Sequence, residues 1–216
     1  MAAKISVEIV SDMVCPFCYL GKRRLERAIA ERPDLDIDVS WQPFQLSPDM
    51  PLEGHDRLEH YQQLFGADRA QQIMDSMQDT GKDDGIAFGY KPGARSPNTL
   101  AAHVLMLLAR DHDLVDMDEL AEKLFYAHHV ECEDIGDIDL LVRIAAEAGM
   151  NTAGLAEKLR SVDAETAVGA LIGRAREQGV TGVPFFIIDG RYGISGAQPA
   201  ESFVAAFDEI AAAQEK

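Results

Sequence analysis

The sequence predicts an α/β fold in which two β-containing ends enclose a long helical stretch. Three observations carry that prediction. Alternating apolar and polar residues mark strands near both ends of the chain. The middle, from about residue 55 to 178, reads as one helix after another. A Cys-x-x-Cys, Cys15-Pro16-Phe17-Cys18, sits where the first strand pattern gives way to the first helix pattern.

The elements follow in order. Ile5, Val7 and Ile9 alternate with Ser6 and Glu8, as in a half-buried strand. Residues 19–32 hold no proline and carry Leu20, Leu25, Ala28 and Ile29 at helical spacing. After the break at Pro33-Asp34, Ile37, Val39 and Trp41 alternate with Asp36, Asp38 and Ser40, a second strand. A helical crossover between them makes the two strands parallel. Pro43, Pro48 and Pro51 mark a loop leaving that unit.

The helical stretch divides into 55–65, 67–80, 97–112, 116–131, 137–148, 152–160 and 163–178. Ser96 or Asn98 beside Pro97, Asp137 and Asp163 read as helix caps, and Gly149 as a stop. The loop 83–95 carries Phe88, Tyr90 and Pro92, which read equally as lid or pocket residues or as buried loop anchors. Beyond 178, Phe185-Phe186-Ile187-Ile188 is a strand and Asp189-Gly190 a hairpin turn. Residues 191–194 form the return strand and 199–213 a closing helix with Pro199 in its first turn. The two ends fold together as a four-stranded sheet with helices on both faces. The expected division is 1–50, the inserted helices 51–178, and 179–216.

Composition narrows the function. With 216 residues, 47% of them hydrophobic, a sizeable core is available. Thirty-seven acidic against 20 basic residues give a net charge of −17. Phosphate binding needs a basic patch, so a nucleic-acid partner is not expected. No run approaches the ~18 apolar residues of a membrane span. The start reads straight into a strand, with no leader pattern, so the expected compartment is the cytoplasm. There Cys-x-x-Cys pairs are catalytic more often than structural.

Two thiols three residues apart at a helix start can close a small disulfide ring, and the helix N-terminus favours a thiolate. Zinc is the competing reading, but a structural zinc site needs a second ligand pair. Only Cys132 remains, within His128-His129-Val130-Glu131-Cys132 on a helical pattern. No metal site is expected, and Cys132 reads as a small buried apolar residue. Lys22, Arg23 and Arg24 either add positive charge around the thiolate or form a solvated helix face; the second reading is preferred.

The chain resembles the DsbA-like oxidoreductases of the thioredoxin superfamily, and within them the FrnE branch. The matching stretches are Asp12 to Lys22, Ser96-Pro97-Asn98-Thr99 with His103, and Asp134-Ile135-Gly136-Asp137. Near the end they are Gly179 to Phe186, holding Thr181-Gly182-Val183-Pro184, and Ser195 to Pro199. The resemblance implies a thioredoxin fold, β-α-β … β-β-α, with an all-helical domain inserted between the halves.

The resemblance also implies a cis Val183–Pro184 bond facing the cysteines; spacing alone leaves cis and trans open. It places Pro16, Phe17, Val183, Pro184, Asn98 and His103 around the site. For Asn98 a helix cap, and for His103 a satisfied core position, stand beside that role. Cys15, nearer the helix end and expected to be the more exposed, is the attacking thiolate; Cys18 is the resolving thiol.

The expected function is thiol–disulfide exchange with protein or small-molecule thiols, with no cofactor beyond the cysteine pair and glutathione as a candidate reductant. Two alternatives compete. One is a glutathione-dependent isomerase or transferase like the 2-hydroxychromene-2-carboxylate isomerases and kappa-class transferases, which carry serine where this chain has Cys15. The other is a redox-sensing binding module.

Overall fold

The computed structural model describes residues 3–112 and 114–214. The chain divides into two compact units, Met1–Leu46 with Ile172–Lys216, and Ser47–Leu171.

The first unit is built on a sheet of order β2-β1-β5-β6. Its central strand β1 (Lys4–Ser11) runs parallel to β2 (Asp36–Pro43), with Val7 opposite Val39 and Ile9 opposite Trp41. Helix α1 (Pro16–Glu31) makes the crossover between them. On its other side β1 pairs antiparallel with β5 (Phe185–Ile188), Ile9 facing Phe186. β5 turns back into β6 (Tyr192–Ser195) through Asp189 and Gly190, at φ 52° and 65°. Two successive positive φ values define the type I′ turn that an Asp-Gly pair favours. Arg191 belongs to this turn, donating its N–H to Ile188 O at 3.1 Å, so the return strand starts one residue later than the sequence pattern indicates.

Ile5, Val7 and Ile9 are fully buried, as their alternation requires. Helix α9 (Ala200–Gln214) packs on α1 and β1, burying Phe203 and Phe207. Phe203 meets Phe186 edge-on with ring centroids 4.8 Å apart. A smaller apolar cluster joins Val10, Phe44, Ala175 and Val180.

The second unit is almost all helical. It holds α2 (Arg57–Phe65), α3 (Ala67–Asp83), α4 (Leu100–Ala109), α5 (Met117–His129), α6 (Ile138–Glu147), the short α7 (Leu155–Lys158), and the start of α8 (Val162–Glu177). Val104, Leu105, Leu120, Leu124, Phe125 and Leu141 form its buried centre.

Several local expectations are corrected. His55–Asp56 is not helix but a strand, β3, paired antiparallel with β4 (Arg95–Ser96). Two-residue strands carry no periodicity to read. Asp56 is instead the cap of α2, its carboxylate accepting from Glu59 N–H at 3.1 Å. Ser161, not Asp163, takes the cap position of α8, Oγ accepting from Ala164 N–H at 3.3 Å. Asp137 caps α6 through Asp139 N–H at 2.8 Å, and Gly149 follows that helix at φ 84°. Phe88 is a buried anchor: it lies against Gly81, where a Cβ would come within 2.5 Å of its ring, and edge-on to His129 at 5.6 Å.

Candidate active site

The end of β1 and the start of α1 set the two cysteines. Cys15 is the N-cap of α1, at φ −84° and ψ 113°, and Pro16 follows at the first helical position, where its missing N–H costs nothing. The Cys15 carbonyl accepts from Cys18 N–H at 3.0 Å and from Tyr19 N–H at 3.4 Å, which winds Cys18 into the first turn. The approach is fixed behind them. Cys15 N–H donates to Asp12 O at 3.0 Å, and the buried Asp12 carboxylate accepts from Leu46 N–H at 2.8 Å.

The loop before β5 lies over this turn. Its Val183–Pro184 bond is cis. Val183 O accepts from the Cys15 thiol, Sγ to O 3.7 Å. Pro184 is buried, and its carbonyl accepts from Gly196 N–H at 2.8 Å. Arg24 of α1 donates to Ala197 O at 2.6 Å, tying the next loop to the same helix. Gly21 is required for this approach: a Cβ there would stand 2.9 Å from Phe186 Cζ and 3.1 Å from Pro184 Cγ.

Both cysteines are free thiols. Cys15 is 4% exposed and Cys18 1%: Cys15 is the more exposed of the two, as expected, but both residues are buried. Phe17, between them, is half exposed at 50%, while Pro16 is partly buried. Burial pushes the Cys18 thiol well above its ordinary pKa, and the neighbouring Cys15 adds to the rise. Ser11 works the other way. Its buried Oγ has no hydrogen-bond partner among the described residues and stands near enough to Cys18 to donate to the thiolate and so favour it. Sequence reading passed over Ser11; its only signal is a hydroxyl at the last position of an otherwise apolar strand end.

Lys22 corrects the preferred reading of a solvated basic face. It is buried and ion-paired with Glu26 of the next turn. Arg23 is partly buried, its guanidinium 5.4 Å from the Tyr19 ring centroid. The basic residues are thus spent on the helix and its neighbouring loop.

Asn98 and His103 lie in the helical unit. The Asn98 amide donates to Met50 O at 2.6 Å, and its Oδ1 accepts from Leu100 N–H at 2.9 Å, securing the start of α4. His103 is buried on the first turn of α4, its N–H bonded to Thr99 O at 3.0 Å. The His128-to-Cys132 cluster is also accounted for by packing. The His129 ring stacks on Phe125 at 6.0 Å, and His128 contacts Arg57. Cys132 is half-buried at φ 61°, with Sγ 3.9 Å from Val130 O. Among the described residues no group of three or more His, Cys, Asp or Glu is placed to hold a metal ion.

A sheet of order β2-β1-β5-β6, with β1-α1-β2 and β5-β6-α9 as its halves and a helical segment between them, defines a thioredoxin-fold protein. The chain belongs to the DsbA-like thioredoxin domain family, which matches residues 6–208. The members of that family are thiol–disulfide oxidoreductases. A probable DsbA oxidoreductase from Streptomyces coelicolor is 30% identical, superposes with a TM-score of 0.85, and covers 95% of this chain and 89% of its own. YwbO, an uncharacterised protein of Bacillus subtilis, is 29% identical over 95% of this chain and 96% of its own length. A 2-hydroxychromene-2-carboxylate isomerase structure, 15% identical, shares the fold with a TM-score of 0.68 and 95% coverage of both chains. Among the described residues no helix is long and apolar enough to cross a membrane.

Proposed function

We propose that the chain is a thiol–disulfide oxidoreductase working through Cys15 and Cys18, a FrnE-like member of its family acting in the cytoplasm. The observation that carries the reading is the cysteine pair at the start of α1 with the Val183 carbonyl 3.7 Å from the Cys15 sulfur. The fold alone does not select this chemistry, because an isomerase shares it. Two thiols in one helical turn do, since one attacks the substrate and the other resolves the mixed disulfide.

Cys18 is held protonated by burial, so the first attack falls to Cys15. The Cys15 thiolate attacks one sulfur of a substrate disulfide, and the other sulfur leaves as a thiolate and takes up a proton. Cys18 then loses its proton, aided by Ser11, and attacks Cys15 Sγ. The second substrate sulfur leaves as a thiolate and takes up the proton, so the substrate disulfide is reduced to two thiols and the Cys15–Cys18 pair is oxidised by two electrons to a disulfide. Two thiols of the glutathione class reduce it again and leave as their own disulfide. Pro184 has no N–H, so the Val183 backbone is free to align an extended substrate segment beside Cys15. The half-exposed Phe17 offers that segment an apolar contact.

The test is insulin reduction by a thiol reductant. The chain should catalyse it, Cys15→Ser should abolish it, and Cys18→Ser should accumulate mixed disulfides on Cys15. Partners trapped on Cys18 in Cys15→Ser would reverse the two roles. Glutathione-dependent isomerisation of an aromatic substrate that survives Cys18→Ser, with no insulin reduction, would replace this reading by the isomerase one.

A further inference from the structure

Arg57 opens α2 and is 4% exposed. Its Nε and Nη2 each donate to Arg95 O at 3.2 Å. Nη2 also donates to His128 O at 3.1 Å and stands 3.1 Å from His128 Nδ1. Every one of these partners is neutral, because burial keeps the His128 imidazole uncharged. Among the described residues no carboxylate pairs with Arg57, and its Nη1 has no acceptor. A buried charge is ordinarily paired, since leaving it unpaired is costly.

Arg57 also lines a cavity of about 510 Å³ within the helical unit. That volume lies in the range of small-molecule sites. Leu58, Met74, Tyr90 and Pro92 give it apolar walls. The two acidic residues that line it have other tasks. Asp56 caps α2, and Asp75 accepts from the Gln71 amide at 2.9 Å. Lys91 adds a second cation while donating to Glu131 O at 2.8 Å. The chain as a whole carries −17, so an anion is drawn here by local groups and not by the general field.

We propose that this cavity binds a small organic carboxylate with an apolar body, the carboxylate accepting from Nη1 of Arg57 and the body lying against Leu58, Met74 and the Tyr90 ring. The missing counter-charge of Arg57 then comes from the ligand. All lining residues belong to the unit Ser47–Leu171, and the proposal does not depend on the redox reading.

Benzoate is the probe, titrated into the full chain by calorimetry and by amide chemical shifts. Saturable binding is expected, with shifts at Arg57, Met74 and Tyr90 and none at Cys15 or Cys18. Benzylamine, with the same ring and the opposite charge, should bind at least tenfold more weakly. Arg57→Gln should lower benzoate affinity at least tenfold, the scale of one charge-assisted hydrogen bond. Leu58→Glu provides the arm that keeps the Arg57 hydrogen bonds intact. Leu58 is 44% exposed, so the variant should fold, and its carboxylate should repel benzoate to the same degree. No saturable binding, unchanged affinity in folded Leu58→Glu, or shifts confined to Cys15 and Cys18 would each overturn the proposal. Inorganic phosphate binding as well as benzoate would overturn the assignment of an apolar-bodied ligand.

Discussion

Gly21→Ala sets helix propensity against packing. Gly21 lies inside α1, where alanine is ordinarily favoured over glycine by about 1 kcal/mol. The new Cβ would stand 2.9 Å from Phe186 Cζ and 3.1 Å from Pro184 Cγ. Neither neighbour has room to give. Phe186 is fully buried against Phe203, and Pro184 is buried with its carbonyl held by Gly196. Overpacking of this kind costs about 1–3 kcal/mol, so the variant should lose about 1 kcal/mol after the propensity gain is subtracted. Gly173 is the control, being helical, in the same unit, and with nothing within 4 Å of its added Cβ. Gly173→Ala should gain up to about 1 kcal/mol. The two variants should therefore differ by about 2 kcal/mol, or roughly 4–8 °C in Tm for a chain of this size. Guanidinium unfolding and thermal melts followed by circular dichroism measure that difference. Insulin reduction should slow in Gly21→Ala alone, because only that Cβ presses on Pro184. Equal stabilisation by the two substitutions would refute the claim that Gly21 is there for the close approach of β5.

Three further outcomes are expected. His128 is held well below its ordinary pKa of 6.5 by burial first and then by Arg57, so only the unfolded chain takes up its proton below that pH. Stability present above pH 6.5 should drain as pH falls, by about 1.4 kcal/mol between pH 7.5 and 5.5, and His128→Gln should remove that share of the slope in unfolding titrations. Cys18 is raised chiefly by burial, a cause that survives removal of its neighbour; in Cys15→Ala its alkylation by iodoacetamide at pH 8, followed by mass spectrometry, should run roughly tenfold or more slower than that of an exposed thiol. Alkylation at the exposed-thiol rate would contradict that burial. Cys132→Ala should leave insulin reduction within twofold of the parent, since Cys132 lies in the helical unit, its Sγ beside the Val130 carbonyl and Gly89, and the two-cysteine mechanism has no step that needs it; a severalfold loss in a folded variant would bring a third thiol into the reaction.

The sequence by itself determined the secondary-structure plan of both ends of the chain. Ile5, Val7 and Ile9 had to face one way because side chains alternate along a strand, and Asp189-Gly190 had to turn because few other pairs accept two positive φ values. It also put both cysteines in one helical turn, since three residues of spacing at a helix start allow nothing else. The tertiary structure decided what burial and non-local contact control. Whether Cys15 is covered depends on a loop 168 residues away, and nothing in the residues around Cys15 encodes that loop's position. Lys22 reads as a surface lysine until the neighbouring elements bury its stem and leave Glu26 as its partner. β3 and β4 are two residues each, too short for a period, and exist only because the chain brings His55 opposite Ser96. Arg57 likewise looks like any helix-start cation in the sequence. That no carboxylate pairs with it among the described residues is a property of the space around it, which only the fold assembles.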